Sequence, residues 1–144
     1  MAVLKRKSEK VDLLAQVPLF ANLSQKDLGQ VARSADEIAV AAGETLGRQG
    51  EAGQEAFVVV EGSLIIKRNG RKVAVLGPGA VAGEMSLIDG APRSADIVAE
   101  SDGAILVMHR RDFSGLLDSS TAFQHKILRA VTQRLREADR QLYG

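Results

Sequence analysis

The sequence predicts an α+β domain in which an antiparallel β-sandwich or roll lies between helices at both ends of the chain. Short β-prone runs separated by glycine-containing turns fill the middle of the sequence. Helical patterns, with apolar residues three and four positions apart, occupy the ends. Many short strands with frequent glycine turns favour antiparallel pairing over a parallel sheet with crossover helices. With 144 residues, the chain is expected to form a single domain.

The composition is that of an ordinary soluble protein. Hydrophobic residues make up 45% and charged residues 26% of the chain, and the net charge of +1 gives no general attraction to nucleic acid or anionic membranes. Because cysteine is absent, disulfides and thiolate metal sites are impossible, and a reducing cytoplasm is suitable. Apolar runs are far shorter than the roughly 18 residues of a membrane span, and no apolar signal core follows the basic N-terminus. We therefore expect a cytoplasmic protein with no membrane partner.

The N-terminal part is predicted to be a flexible arm over residues 1–8, followed by helices over 9–34. The first helix must stop before Pro18, because proline cannot continue a helix. Ser24 is a favourable N-cap for the second helix, and Asp27 has the capping-box spacing from it.

Residues 36–109 carry the predicted β structure. Asn69-Gly70 lies between two β-prone runs and is the strongest hairpin signal, since both central residues of a type I′ turn need positive φ. The β-prone runs are 38–42, 56–61, 63–68, 72–76, 95–100 and 104–109.

Residues 110–143 return to a helical pattern, with a short helix over 110–117 and a long one over 121–143. The long helix has an apolar stripe that suits either packing on its own domain or pairing with a second copy. The stripe consists of Phe123, Ile127, Val131, Leu135, Ala138 and Leu142. The opposite face is basic and is predicted to face solvent or a protein partner; it carries Lys126, Arg129, Arg134, Arg136 and Arg140.

The most informative stretch is 83–95, which reads GEMSLIDGAPRSA. Gly83 before a short apolar helical turn lets backbone N–H groups point into open space, where they can hold an anion. Pro92 stiffens the return of the chain, so that Arg93 comes back towards the same pocket. Arg93 offers donors matched to phosphate oxygens, and Glu84 offers an acceptor suited to a sugar hydroxyl. The stretch therefore indicates a site for a small phosphorylated sugar.

This stretch closely resembles the phosphate-binding cassette of cyclic nucleotide-binding domains, the family that includes catabolite-activator-like receptors and protein kinase A regulatory subunits. The similarity covers nearly the whole chain, from about residue 16 to the last helix. It implies a jelly-roll-like antiparallel β-roll with helices before it and a long helix after it. Further matching segments are Pro18-Leu19-Phe20, Gly43-Glu44, Arg48-Gln49-Gly50-Glu51, 57–62, 99–102 and 111–113.

The resemblance also implies the ligand contacts. Arg93 is expected to pair with the cyclic phosphate, Glu84 to accept a hydrogen bond from the ribose 2′-hydroxyl, and backbone amides, including that of Ser94, to contact the phosphate. The implied cassette residues are Gly83, Glu84, Met85, Ser86, Arg93, Ser94 and Ala95.

Recognition of the base is predicted less directly. Val73 and Val75, on a neighbouring strand, are candidates for the base pocket, and Leu142 and Tyr143 are candidates for a lid. The serine that follows the cassette arginine, Ser94, is similar to the pattern in bacterial receptors for cyclic AMP. This resemblance favours cyclic AMP over cyclic GMP as the ligand.

The predicted function is a signal-transduction module in which a cyclic nucleotide allosterically changes the C-terminal helix, which then signals to a partner protein or a second copy through 121–143. One alternative is a DNA-binding regulator of the catabolite-activator type, or a fragment of one; since the sequence ends where a helix-turn-helix domain would begin, nucleic acid is not an expected partner. Another is a degenerate scaffold, against which the intact Glu84 and Arg93 argue.

Neither an enzyme nor a metal site is predicted, because His109 and His125 lie on different elements and no nucleophile has an adjacent base.

Overall fold

A computed structural model describes residues 7–143, with the side chains of 8–142. The predicted α+β class is confirmed: helices precede and follow two antiparallel sheets. The helices are α1 (Lys7–Gln16), α2 (Gln25–Ser34), α3 (Glu84–Asp89), α4 (Arg110–Ser119) and α5 (Thr121–Tyr143). The strands are β1 (Asp36–Val40), β2 (Thr45–Gly47), β3 (Glu55–Glu61), β4 (Leu64–Arg68), β5 (Arg71–Leu76), β6 (Val81–Ala82), β7 (Asp96–Ala99) and β8 (Gly103–His109).

The N-terminal helices follow the prediction in outline. The first six residues of the predicted arm lie outside the described residues, and α1 begins at Lys7 rather than at residue 9. It ends before Pro18, and α2 begins directly after Ser24, whose hydroxyl accepts a hydrogen bond from the Asp27 amide at 3.1 Å.

Two four-stranded sheets form the β-roll, in the orders β1-β8-β3-β6 and β2-β7-β4-β5. Their facing side chains make one core cluster, which includes Phe57 and Val59 from β3 and Ile97 from β7. The opposite face of β3 and β8 packs against the helices, and Val58 and Leu106 belong to that second cluster. The two central strands of the first sheet, β3 and β8, are therefore buried on both faces, which explains their continuous apolar runs.

The six predicted β runs all correspond to strands, whereas β2 and β6 were not predicted. These have three and two residues, too few for an alternating pattern to appear in the sequence. The predicted hairpin is confirmed: Asn69 and Gly70 have φ values of 53° and 78° and join β4 to β5 in antiparallel register.

The helical layer is centred on three aromatic rings. Phe123 stacks on Phe20 with centroids 5.7 Å apart and meets the edge of Phe113 at 5.2 Å. At the start of α5, the Ser120 hydroxyl donates to the Asp27 carboxylate at 2.7 Å and accepts from the Phe123 amide at 3.1 Å. The beginning of α5 is therefore fixed to α2 and α4.

The apolar stripe of α5 divides into two parts. Phe123 and Ile127 are buried, whereas Val131, Leu135 and Leu142 are 44%, 68% and 75% exposed. The first part packs on its own domain, and the second part lies over the β-roll with its apolar side chains open to solvent. Across residues 7–143, none of the helices combines the length and apolar character needed to span a membrane.

Candidate functional site

The cassette connects the two sheets, since β6 ends directly before Gly83 and β7 begins directly after Ala95. Gly83 has a φ of 84°, in the left-handed region that favours glycine, and it redirects the chain from β6 into α3. Gly90, with a φ of 72°, ends α3 and donates its N–H to the Ser86 carbonyl at 3.0 Å. The Asp89 carboxylate then accepts a hydrogen bond from the Ala91 amide at 2.9 Å, which closes the turn.

The backbone of Arg93 is held by the loop before β3. Its N–H donates to the Glu51 carbonyl at 2.8 Å, and its carbonyl accepts from the Gly50 N–H, also at 2.8 Å. These paired bonds fix the position from which the side chain enters the site.

The Arg93 guanidinium is buried, with the residue only 6% exposed. Nη2 donates to the Glu55 carbonyl at 2.9 Å, and Cζ lies 5.4 Å from the centroid of the Phe57 ring. Nη1 is buried and has no hydrogen-bond partner among the described residues. Burial lowers the pKa of Arg93, and the negative charge of Glu55 partly opposes this, but a guanidinium remains protonated at physiological pH. A buried cation with an unused donor fits an anionic ligand.

Three glycines provide the space for Arg93 and the start of α3. A Cβ on Gly83 would lie 2.5 Å from Arg93 Nη1, and one on Gly47 would lie 2.7 Å from Arg93 Nε. A Cβ on Gly53 would lie 2.5 Å from the Cβ of Ser86. Gly47 and Gly53 were not predicted as site residues, although they belong to the glycine-rich segment that precedes β3.

A cavity of about 510 Å³ opens above the cassette. The structure brings together around it all seven cassette residues predicted from the sequence, with Arg93, Glu84 and Ser86 buried and Met85 and Ser94 exposed. Apolar side chains from the neighbouring strands, Ile66 and Leu76, also line it.

The described residues that were predicted for the base pocket and lid do not line this cavity. Val73 and Val75 are 52% and 46% exposed and do not line the cavity, because strand alternation turns Leu76 towards it instead. Leu142 is exposed and also does not line it, whereas Gln141 does. The side chain of Tyr143 lies outside the described residues.

The most important residue missed by the sequence is Arg134. Its Nη2 donates to Oε1 of Glu84 in an ion pair, with the Glu84 side chain 9% and the Arg134 side chain 47% exposed. The prediction that Arg134 faces solvent or a protein partner is therefore corrected: α5 lies over the cavity, and this arginine reaches down to the cassette. Glu137, Ala138 and Gln141 line the cavity from the same helix.

Comparison with known proteins agrees with this geometry. Residues 37–120 match the family described as the cyclic nucleotide-binding domain. A cyclic nucleotide-gated potassium channel from Mesorhizobium japonicum is 42% identical over 108 residues, which are 75% of this chain and 30% of the channel. The cyclic AMP receptor protein from Thermus thermophilus is 32% identical, over 87% of this chain and 60% of the receptor.

A solved structure of the regulatory domain of Toxoplasma gondii protein kinase A with cyclic AMP has a TM-score of 0.73 and 32% identity, and the match covers 76% of this chain and 44% of that one. The chain thus spans less than two thirds of the length of each of these relatives. The family match includes the cassette and more than half of the chain. The chain belongs to the cyclic nucleotide-binding domain family.

Proposed function

We propose that this domain is a sensor of cyclic AMP that reports the ligand through α5. The buried Nη1 of Arg93, which has no partner among the described residues, is the observation that carries this proposal. An anionic cyclic phosphate placed in the cavity would accept from Nη1 and from amides at the start of α3. The cavity volume of about 510 Å³ lies within the range of roughly 300–1,000 Å³ typical of small-molecule sites.

Glu84 links ligand binding to the position of α5. Its carboxylate accepts a hydrogen bond from Arg134. A ribose 2′-hydroxyl would donate to the same carboxylate, so that the nucleotide competes with Arg134 or shares Glu84 with it. Displacement of Arg134 removes the ion pair that ties the distal part of α5 to the cassette, and the populations of α5 positions shift accordingly when the nucleotide binds.

Cyclic AMP is the preferred ligand in this proposal. The names of the Thermus receptor and the Toxoplasma complex both mention this nucleotide. The apolar walls at Ile66 and Leu76 suit the adenine ring, which needs few polar contacts.

The output is a change in the surface that α5 presents to a protein effector or to a second copy. Exposed apolar residues follow each other along this helix at spacings of three, four and seven, as expected for a helix that pairs in one of its states. They are Leu128, Val131, Leu135 and Leu142.

Titration calorimetry with cyclic AMP and cyclic GMP, followed by hydrogen exchange, tests the proposal. We expect tighter binding of cyclic AMP and slower exchange in both 83–95 and 121–143. Tighter binding of cyclic GMP would show that cyclic GMP is the ligand. Unchanged exchange in 121–143 would show that the nucleotide binds without changing α5. If neither nucleotide binds, the domain is a scaffold and the proposal fails.

A further inference from the structure

A second cavity lies on the other side of the Arg134–Glu84 ion pair. Its volume is about 490 Å³, which is also in the range of small-molecule sites. The segment after α1, strand β6, the cassette helix α3 and the middle of α5 form its walls. These walls are largely apolar and include Val17, Leu19, Val81, Ile88, Ile127 and Ala130.

The charged side chains of this cavity are unequally paired. Glu84 is ion-paired with Arg134. Lys126 and Arg129, which also line the cavity, have no hydrogen bond or ion pair with any residue in the part of the chain that the structure describes. Lys126 is half-buried, so its charge is partly removed from water without compensation from the protein. The cavity therefore combines apolar walls with two cations that have no partner among the described residues, the half-buried Lys126 and the exposed Arg129.

We infer that this second cavity binds a single-chain amphipathic anion of the fatty-acid type. Its chain packs against the apolar walls and also covers Val131, which is 44% exposed. Its head group pairs with Lys126 and Arg129. A purely apolar ligand would leave the half-buried Lys126 without a counter-charge, and a small inorganic anion would leave the apolar walls in contact with water.

Titration calorimetry with decanoate, below its micelle concentration and without any nucleotide, tests this site. Decanol and decyltrimethylammonium carry the same chain with a neutral and a positive head, and we expect both to bind much more weakly than decanoate. Because no nucleotide is present, the result does not depend on the proposed sensor function. Equal binding of decanol, or no binding of decanoate, would overturn the inference.

Paired variants of α5 locate the binding. The Lys126→Glu/Arg129→Glu double variant is expected to weaken decanoate binding by roughly tenfold or more. The Arg136→Glu/Arg140→Glu double variant changes the net charge equally, at exposed positions outside the cavity, and should have little effect. Equal weakening by both would reveal general electrostatic attraction instead of a site.

A second pair of variants tests the apolar part of the site. Ala130→Leu fills part of the cavity and should abolish decanoate binding, whereas Ala122→Leu, at an exposed position of the same helix, should not. Thermal unfolding of each variant verifies that the fold is retained. Unchanged binding by Ala130→Leu would place decanoate outside this cavity.

Discussion

Replacing Arg93 with methionine should greatly weaken ligand binding while leaving the stability of the domain nearly unchanged. Methionine has a similar length and removes the charge and all of the hydrogen-bond donors. If Arg93 is present to bind the phosphate, the domain holds a buried charge that is fully satisfied only when the nucleotide is bound. If it is a structural residue, its contacts with Glu55 and Phe57 should already account for it.

The expected loss of affinity follows from the burial of Arg93. Removing one partner of a buried, hydrogen-bonded charge pair costs about 2–5 kcal/mol. This corresponds to a reduction of roughly 30- to 4,000-fold in affinity for cyclic AMP. Burial lowers the pKa of Arg93, but because the ordinary pKa of arginine is very alkaline, the guanidinium stays charged across the physiological range. The loss of affinity should therefore be nearly constant from about pH 6 to 9.

The stability of the ligand-free domain should change little. The variant loses the hydrogen bond to the Glu55 carbonyl and the contact with the Phe57 ring, worth about 1.5–3 and 0.5–2 kcal/mol. It gains because a desolvated charge no longer has to be buried, and replacement of buried ions by apolar groups stabilises by about 1–4 kcal/mol in favourable cases. Burial lowers the pKa of Arg93, which means that its charged form disfavours folding at every pH below that value. The opposing contributions should leave the free energy of unfolding within about 1 kcal/mol of the parent.

Urea unfolding without ligand and calorimetry with cyclic AMP measure the two effects. The matched control is Arg68→Met, because Arg68 also lines the cavity but is exposed and, among the described residues, donates only to the Ser94 carbonyl at 3.2 Å. The control should retain affinity within about fivefold. A domain with Arg93→Met that binds cyclic AMP normally, or that loses more than about 3 kcal/mol of stability, would refute the assignment of Arg93 to the phosphate.

Three further predictions concern other parts of the molecule. Glu84→Gln should weaken the binding of cyclic AMP by about tenfold and reduce the preference for cyclic AMP over 2′-deoxy cyclic AMP. Calorimetry with both ligands measures this preference, and an unchanged preference would contradict the assignment of Glu84 to the ribose. Gly53→Ala should destabilise the domain by about 1–3 kcal/mol and weaken binding, because its Cβ would meet Ser86, whereas Gly77→Ala, in open space, should do neither; urea unfolding and calorimetry compare the two. Phe123→Ala should lower the free energy of unfolding, measured with urea, by about 3–5 kcal/mol, whereas Leu135→Ala, at an exposed position, should lower it by less than about 0.5 kcal/mol. Similar losses for the two variants would show that the aromatic cluster is not central to the fold.

The local conformation of the cassette could be predicted from the sequence because it depends on residues within one short segment. Gly83, the turn at Gly90 and the return to Arg93 all lie within residues 83–93, and each conformation follows from the residue types present. The same applies to the Asn69-Gly70 hairpin and to the cap at Ser24.

Features that depend on distant parts of the chain were not predictable in the same way. The face that Val73 and Val75 present depends on strand register, and the pairing of β4 with β5 shifts between Ile66 and Lys67. Helical periodicity assigned Arg134 to a basic surface, but its environment is decided by how α5 crosses the β-roll, which the sequence of the helix does not state.

The contacts of α5 also limit how strongly the nucleotide alone could move this helix. Residues 131–142 are exposed, and the ion pair from the half-exposed Arg134 to Glu84 contributes about 1 kcal/mol once competition with water is included. Displacing it would change the ratio of two α5 positions by only about fivefold. A nearly complete switch needs a difference of about 5.5 kcal/mol between the two states. The remaining free energy has to come from new contacts of α5, either with the bound base or through its exposed leucines with a partner protein, so a full response requires more than the loss of this one ion pair.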